Sequence, residues 1–412
     1  MNEDQSHHTG RRLRSARRQR GMSLRTLAGL SGLSIGFLSM VENGQRHLDR
    51  TGHITALADA LRIAPTELTG RPFAPTDPST ASAHEAVPEL RLALMGMHLG
   101  LPPDQGPSAE PIRALGARVV EANRLYHGCD YGILARKLPA LLGELHTAVE
   151  HASPPERPEL LRLLADAYHP ACTMLLKYLG YPDLAFIAVT RAAEATAELD
   201  DPLRTALSGF FHAHVLMSIG SPDLALDRAE LAADEVERHL AEPKAYALLG
   251  ELHLIRATCL TLDVRRSGAD RTREVNEHLA EAAKLAGRTG ETKAWHLNFG
   301  PTNVGIHHVS LNTDLGRHGH AVAASGGVRP RVLAASGREA TFHADLGRAL
   351  THLHGRDADA VTELLAAERT APQRIHANVM VRDTVSTLLD RQLPARTARE
   401  LRALAHRMGV QG

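Results

Sequence analysis

Apolar positions in the first sixty residues recur with helical spacing. Leu13 and Ala16 mark the inner face of a helix over 10–20, and Gly21 ends it. Leu24, Leu27, Ala28 and Ser31 then share one stripe, and Leu38 and Val41 another. Between these two lies Ser31-Gly32-Leu33-Ser34. Gly32 can take the positive φ that closes a helix, because it has no Cβ. Ser23 and Ser34 are suited to cap the two helices, each hydroxyl accepting an orphan backbone N–H. Ile54, Leu57, Ala58 and Leu61 follow at i, i+3, i+4, i+7, and Pro65–Leu68 opens a short fifth helix that Gly70 stops.

Further on, Arg71–Val87 is rich in Pro, Ser, Thr and Ala, and Leu101–Pro111 is a second Pro-rich break around an apolar stretch over 88–100. We read 71–111 as a tether. From Ile112 to the end the pattern is helical. Its breaks repeat: Gly180-Tyr181-Pro182-Asp183-Leu184-Ala185 returns 40 residues later as Gly220-Ser221-Pro222-Asp223-Leu224-Ala225. Gly316 with Ala321 returns as Gly355 with Ala360, 39 residues on. In each case a helix ends, glycine turns the chain, and a small residue lies early in the next helix. Aromatic residues are 3% of the chain while Ala and Leu abound, a composition of packed helices rather than sheet. The expected fold class is all-α: a head over 1–70, a linker over 71–111, and stacked helical hairpins over 112–412.

A helix, a tight glycine turn and a capped helix form the geometry that seats a second helix in a DNA major groove. Leu27-Ala28, Gly32-Leu33-Ser34, Leu38-Ser39 and Val41-Glu42-Asn43-Gly44 resemble the helix-turn-helix of the phage-repressor/Xre family, over about Gly10–Gly70. That resemblance implies a five-helix domain working as a homodimer on a two-fold site in double-stranded DNA. It also implies an ion pair between Arg17 and Glu42, which gives Glu42 a structural role. The repeats downstream resemble tetratricopeptide repeats with lengthened helices. A head and body of this kind resemble a broad class of bacterial regulators, some of which sense peptides or small molecules in the body.

Charge refines this picture. The chain as a whole is balanced, with 47 basic and 47 acidic residues. Residues 1–71, however, hold eleven arginines and no lysine against six acids, a basic head on an acidic body. Arg25 falls in the first turn of the second helix, where a backbone phosphate would lie. With Leu38 and Val41 turned inward, the third helix presents Ser34, Ile35, Gly36, Ser39 and Met40. Phe37 suits a core or dimer contact. Asn43, Gln45 and Arg46 follow as phosphate contacts, which position without specifying. This face lacks the Gln, Asn or Arg that makes bidentate base contacts. Sequence choice then leans on operator shape, dimer spacing, Arg46 or the N-terminal arm. Low DNA specificity is the alternative, as is a protein–protein adaptor whose head is a non-DNA-binding relic.

Within the body, the stretch 293–316 holds the single Trp295 and the amides Asn298, Asn303 and Asn312, interrupted by Gly300-Pro301. Trp295, Asn298, Asn303 and His307 are candidate ligand residues for a peptide or small-molecule effector. The alternative is a turn at Gly300-Pro301, a cap at Thr302 or Asn303, and Trp295 in the core. The 25 histidines include pairs at i, i+2, which point to different helix faces, and the HExxH pattern is absent. Cys129, Cys172 and Cys259 are too scattered for a zinc site or disulfide framework. No nucleophile elbow, phosphate loop or dinucleotide fingerprint is present, so no enzyme class, cofactor or metal is expected. The polar start MNEDQSHHTGRR and the lack of an apolar run of roughly 18 residues point to a cytoplasmic protein without a membrane partner.

Overall fold

A computed structural model describes residues 3–46, 48, 51–61, 78–98 and 111–410. The fold is all-α, and no strand occurs among the described residues. The head holds α1 (Glu3–Gln19), α2 (Leu24–Ser31), α3 (Ile35–Glu42) and α4 (Thr51–Leu61). The fifth helix expected at Pro65–Leu68 lies outside the described residues. A small core of Leu13, Leu27, Ala28, Leu38, Val41, Leu57, Ala58 and Leu61 holds the head together. These are the apolar-stripe positions of the sequence pattern. α1 begins earlier than expected, at Glu3, and crosses α3 at Gly10. A Cβ on Gly10 would stand 2.1 Å from the Val41 carbonyl oxygen, so only glycine fits that crossing.

The body begins sooner than its composition suggests. α5 (Pro78–His98) lies inside the stretch read as a tether, which is a correction to that reading. Ala83, Ala86, Val87, Leu90 and Leu94 of α5 are buried in the body's core. Pro-rich flanks and Pro88 within the helix hide its periodicity.

Next come α6 (Ile112–Gly128), α7 (Tyr131–Glu150), α8 (Arg157–Asp166) and α9 (Leu175–Tyr178). α10 (Pro182–Ala197), α11 (Pro202–Ile219), α12 (Pro222–Glu237), α13 (Pro243–Ser267) and α14 (Thr272–Thr289) continue the stack. α15 (Pro301–Asp314), α16 (His318–Ser325), α17 (Ser336–Thr351), α18 (Asp357–Thr370), α19 (Pro372–His376), α20 (Val379–Leu389) and α21 (Ala395–Arg407) complete it. Successive helices pack as hairpins, most densely α13 on α14, α11 on α12 and α17 on α18. The turn glycines at 180, 220, 316 and 355 all have φ between 72° and 90°, a region that costs other residues a steric clash. Ala185, Ala225, Ala321 and Ala360, five residues after each glycine, are fully buried and let the paired helices approach closely.

Two features depart from a plain repeat. Between α8 and α9 the helix widens to a π-helix over Ala167–Met174, with Pro170 inside it. Pro170 has no N–H to offer the Asp166 carbonyl, and the Asn123 side-chain amide donates to that carbonyl instead (3.1 Å). The stack also returns on itself: α17 touches α6, and α19 touches α5.

Candidate functional site: an exposed third helix and a cationic cleft

In the head, Ser23 Oγ accepts the Thr26 N–H (3.0 Å) and Ser34 Oγ accepts the Phe37 N–H (3.2 Å), so each helix starts where its serine stands. Gly32 takes φ 70° between them. α2 and α3 are bent by 116°, within the range of helix-turn-helix units. Arg17 clasps Glu42 from both sides of its guanidinium, Nε to Oε1 at 2.6 Å and Nη2 to Oε2 at 2.7 Å. Its Nη1 donates to the Met22 carbonyl (2.7 Å). Glu42 is therefore buried and occupied, locking the end of α3 onto α1.

On α3, Leu38 and Val41 point into the core while Ser34, Ile35, Gly36 and Met40 are exposed and Ser39 is half-buried. Nothing stands within 4 Å of a Cβ built on Gly36, so that patch is open to a close backbone approach. Arg25, Asn43 and Arg46 are exposed around this face. Phe37 is half-buried, with His53 edge-on at 4.9 Å and the Arg46 guanidinium 5.1 Å over its ring.

The four residues singled out in the body do not converge on one point. The segment that carries two of them, Trp295 and Asn298, is a tight loop closed by a bridge between Thr292 and Phe299. Trp295, His296 and Asn298 all have positive φ, each such residue storing on the order of 1 kcal/mol or more. Trp295 is held at the loop's flank, its Nε1 donating to the Lys244 carbonyl (3.2 Å), between the cations of Arg204 and Lys244. Asn303 is fully buried on α15 and donates to Glu251 Oε1 (2.6 Å). His307 bonds back to the Asn303 carbonyl (2.9 Å), and burial first, then Arg338, hold its imidazole at about 3. Asn298 alone reaches a cleft, donating from Nδ2 to His127 Nδ1 (3.2 Å).

That cleft lies where the ends of the stack meet. Its internal volume is about 40 Å³. Tyr126 and His127 come from α6, Pro170 and Met174 from the π-helix, and Tyr178 from α9. Phe210, Phe211 and His214 come from α11, His296 and Leu297 from the strained loop. Gly337 and Arg338 come from α17 and Arg374 from α19, and none of the lining residues is Asp or Glu. The Arg374 guanidinium stacks 3.9 Å over the Tyr178 ring, and its Nη2 donates to Tyr178 Oη and Thr341 Oγ1, both at 3.0 Å. Gly337 makes room for it, since a Cβ there would stand 3.1 Å from Nη1.

The cations set the protonation of the cleft. Burial alone would raise the Tyr178 phenol, but Arg374, Lys177 and Arg338 outweigh it and bring it down to about 7. Burial lowers Lys177, whose Nζ lies 3.4 Å from His214 Nδ1. Burial, then Lys177 and Arg338, hold His214 well below the usual imidazole range. His127 is held at about 4 by burial and the neighbouring His296. Asn298 Nδ2 and the His296 backbone both hydrogen-bond the His127 ring, and its Nε2 is buried without a partner. Among the described residues no group of three His, Cys, Asp or Glu could hold a metal ion.

Sequence reading singled out the loop that borders the cleft but not Arg374, Arg338, Tyr178 or His127, which line it. No local pattern signals them: three of the six tyrosines, Tyr126, Tyr131 and Tyr178, gather around Arg374 only in the fold.

Residues 8–69 match a family model described as a helix-turn-helix domain. Among solved structures, the chain is similar to Bacillus thuringiensis PlcR, whose crystal structure is in complex with the peptide PapR7 and DNA. The identity is 13% and the TM-score 0.25, over 68% of this chain and 95% of that one. No curated protein matches the chain. No single described helix is long and apolar enough to cross a membrane.

Proposed function

We propose that the protein is a DNA-binding transcriptional regulator whose helical body senses an effector. The observation that carries this reading is the outward face of α3. It is capped by Ser34, pinned from behind by Arg17–Glu42, and left open at Ile35, Gly36, Ser39 and Met40. A third helix serving only as scaffold would bury more of that face. Arg25, Asn43 and Arg46 are placed for phosphate, and Ile35 and Met40 for thymine methyl groups. The homodimer remains part of the proposal, because one such head covers only half of a two-fold operator.

Coupling between body and head has a short route. Arg374 in the cleft sits on α19, the next helix is α20, and α20 packs against α4 of the head. An effector that moves α19 therefore acts on the head through a single intervening helix. It must bind one arrangement more tightly than the other to shift the balance.

Gel-shift titration against salt tests the reading. A DNA-binding head loses affinity in proportion to the phosphates it contacts, and Arg25→Ala and Arg46→Ala each reduce the salt slope by about 1. A chain that ignores every duplex at low ionic strength is an adaptor instead. A footprint with two protected half-sites one helical turn apart supports the dimer, and a single half-site excludes it.

A further inference from the structure

We propose that the cleft binds a small organic carboxylate, its head group held by Arg374 and Arg338 and its apolar end against Phe210, Phe211 and Met174. This deepens the effector-sensing reading and rests on it.

Charge accounting within the body points to the ligand. Other arginines of the body bond carboxylates or, like Arg382, backbone carbonyls. Arg348 bonds Asp314 and Asp345, both at 2.7 Å, and Arg407 grips both oxygens of Glu368. Arg374 bonds hydroxyl groups instead, through Nη2, and no acid lines the space its guanidinium faces. Arg338 has Glu251 at 3.9 Å, beyond hydrogen-bond reach, and that carboxylate already accepts from Asn303. Arg374 and Arg338 converge from α19 and α17 with Lys177 nearby, and the Tyr178 phenol and Glu251 offset only part of this charge. An enclosed excess of positive charge favours an anion.

The geometry selects the class of anion. A planar guanidinium presents paired donors that match a carboxylate. The volume is roughly three water-sized spheres, enough for the carboxylate head group, so the rest of the ligand extends out of the cleft. Aromatic and thioether side chains line one side, so the remainder of the ligand is apolar.

Two sources share this chemistry, a free carboxylic acid and the C-terminus of a peptide. Calorimetry and thermal melts of the purified full-length chain, without DNA, distinguish them. The probes are phenylacetate, phenylacetamide, inorganic phosphate, and a pentapeptide ending in phenylalanine with a free or an amidated C-terminus. Binding of phenylacetate or of the free-ended peptide, without binding of the matching amide, supports the proposal and names the source. Arg374→Gln should lower that affinity roughly tenfold or more without lowering the melting temperature of the unliganded chain. Arg338→Gln, on a different helix, gives the same loss if the first variant fails to fold. Equal response to acid and amide, binding of phosphate alone, undiminished affinity in both variants, or no response to any carboxylate overturns it. Carboxylate binding by a chain that never binds DNA defeats the regulator reading and leaves the cleft assignment standing. DNA binding without carboxylate binding does the reverse.

Discussion

At the residue scale, ion pairs and their absence carry most of the meaning. Arg17–Glu42 joins two helices through a bidentate contact that water barely reaches. Arg17→Ala leaves the buried Glu42 with only Arg14, 4.0 Å away, and should cost about 3 kcal/mol, read as a loss of stability in urea titration of the head transition. Glu368 works the same way near the C-terminus. Burial would raise its carboxyl, but hydrogen bonds from Arg407 and His376 overcome this and hold it at about 2. A folded-state value below the ordinary 4.5 means that its stabilisation is complete above that value and drains away as pH falls toward 2. Glu368→Gln should flatten this part of the acid melting profile. Tyr178 offers a spectroscopic handle on the cleft. Arg374→Gln should move its phenol upward from about 7, seen as the loss of a low-pH tyrosinate absorbance step that Tyr178→Phe also removes.

At the level of helices, what could be read in the sequence was local. Ser23, Ser34 and Gly32 announce the helix-turn-helix because caps and left-handed glycines act within four residues. The glycines at 180, 220, 316 and 355 announce the hairpins for the same reason. α5 was obscured because proline-rich flanks resemble a tether, whereas its helix is stabilised by distant contacts with α7. The π-helix was hidden too, since it depends on Asn123 satisfying a carbonyl 43 residues away. The cleft was the least legible, as Tyr178 and Arg374 are 196 residues apart and no local pattern links them. Close crossings give an element-scale test. Gly10→Ala should force α1 off α3, destabilising the head by about 1–3 kcal/mol and weakening duplex binding in gel shift. Ser34→Ala should remove only a cap, about 1 kcal/mol.

For the molecule as a whole, head and body have separate apolar cores joined through α20 and α4. If the cleft controls the head, a substitution at that junction should uncouple them. Leu388 is buried in the body's core, so the change belongs on an exposed position of α20 facing α4. Such a change should leave carboxylate binding intact and abolish its effect on duplex affinity, measured by gel shift with and without phenylacetate.

The meeting of the two ends has a consequence for synthesis. Glu42, which completes α3, is made long before Arg374, which completes the cleft. At translation rates of about 5–20 residues per second, a nascent chain carries a finished head for on the order of half a minute before the cleft exists. If the cleft controls the head, every newly made copy passes through a deaf interval on the ribosome, and a frameshift or early stop ahead of codon 374 would make that interval permanent.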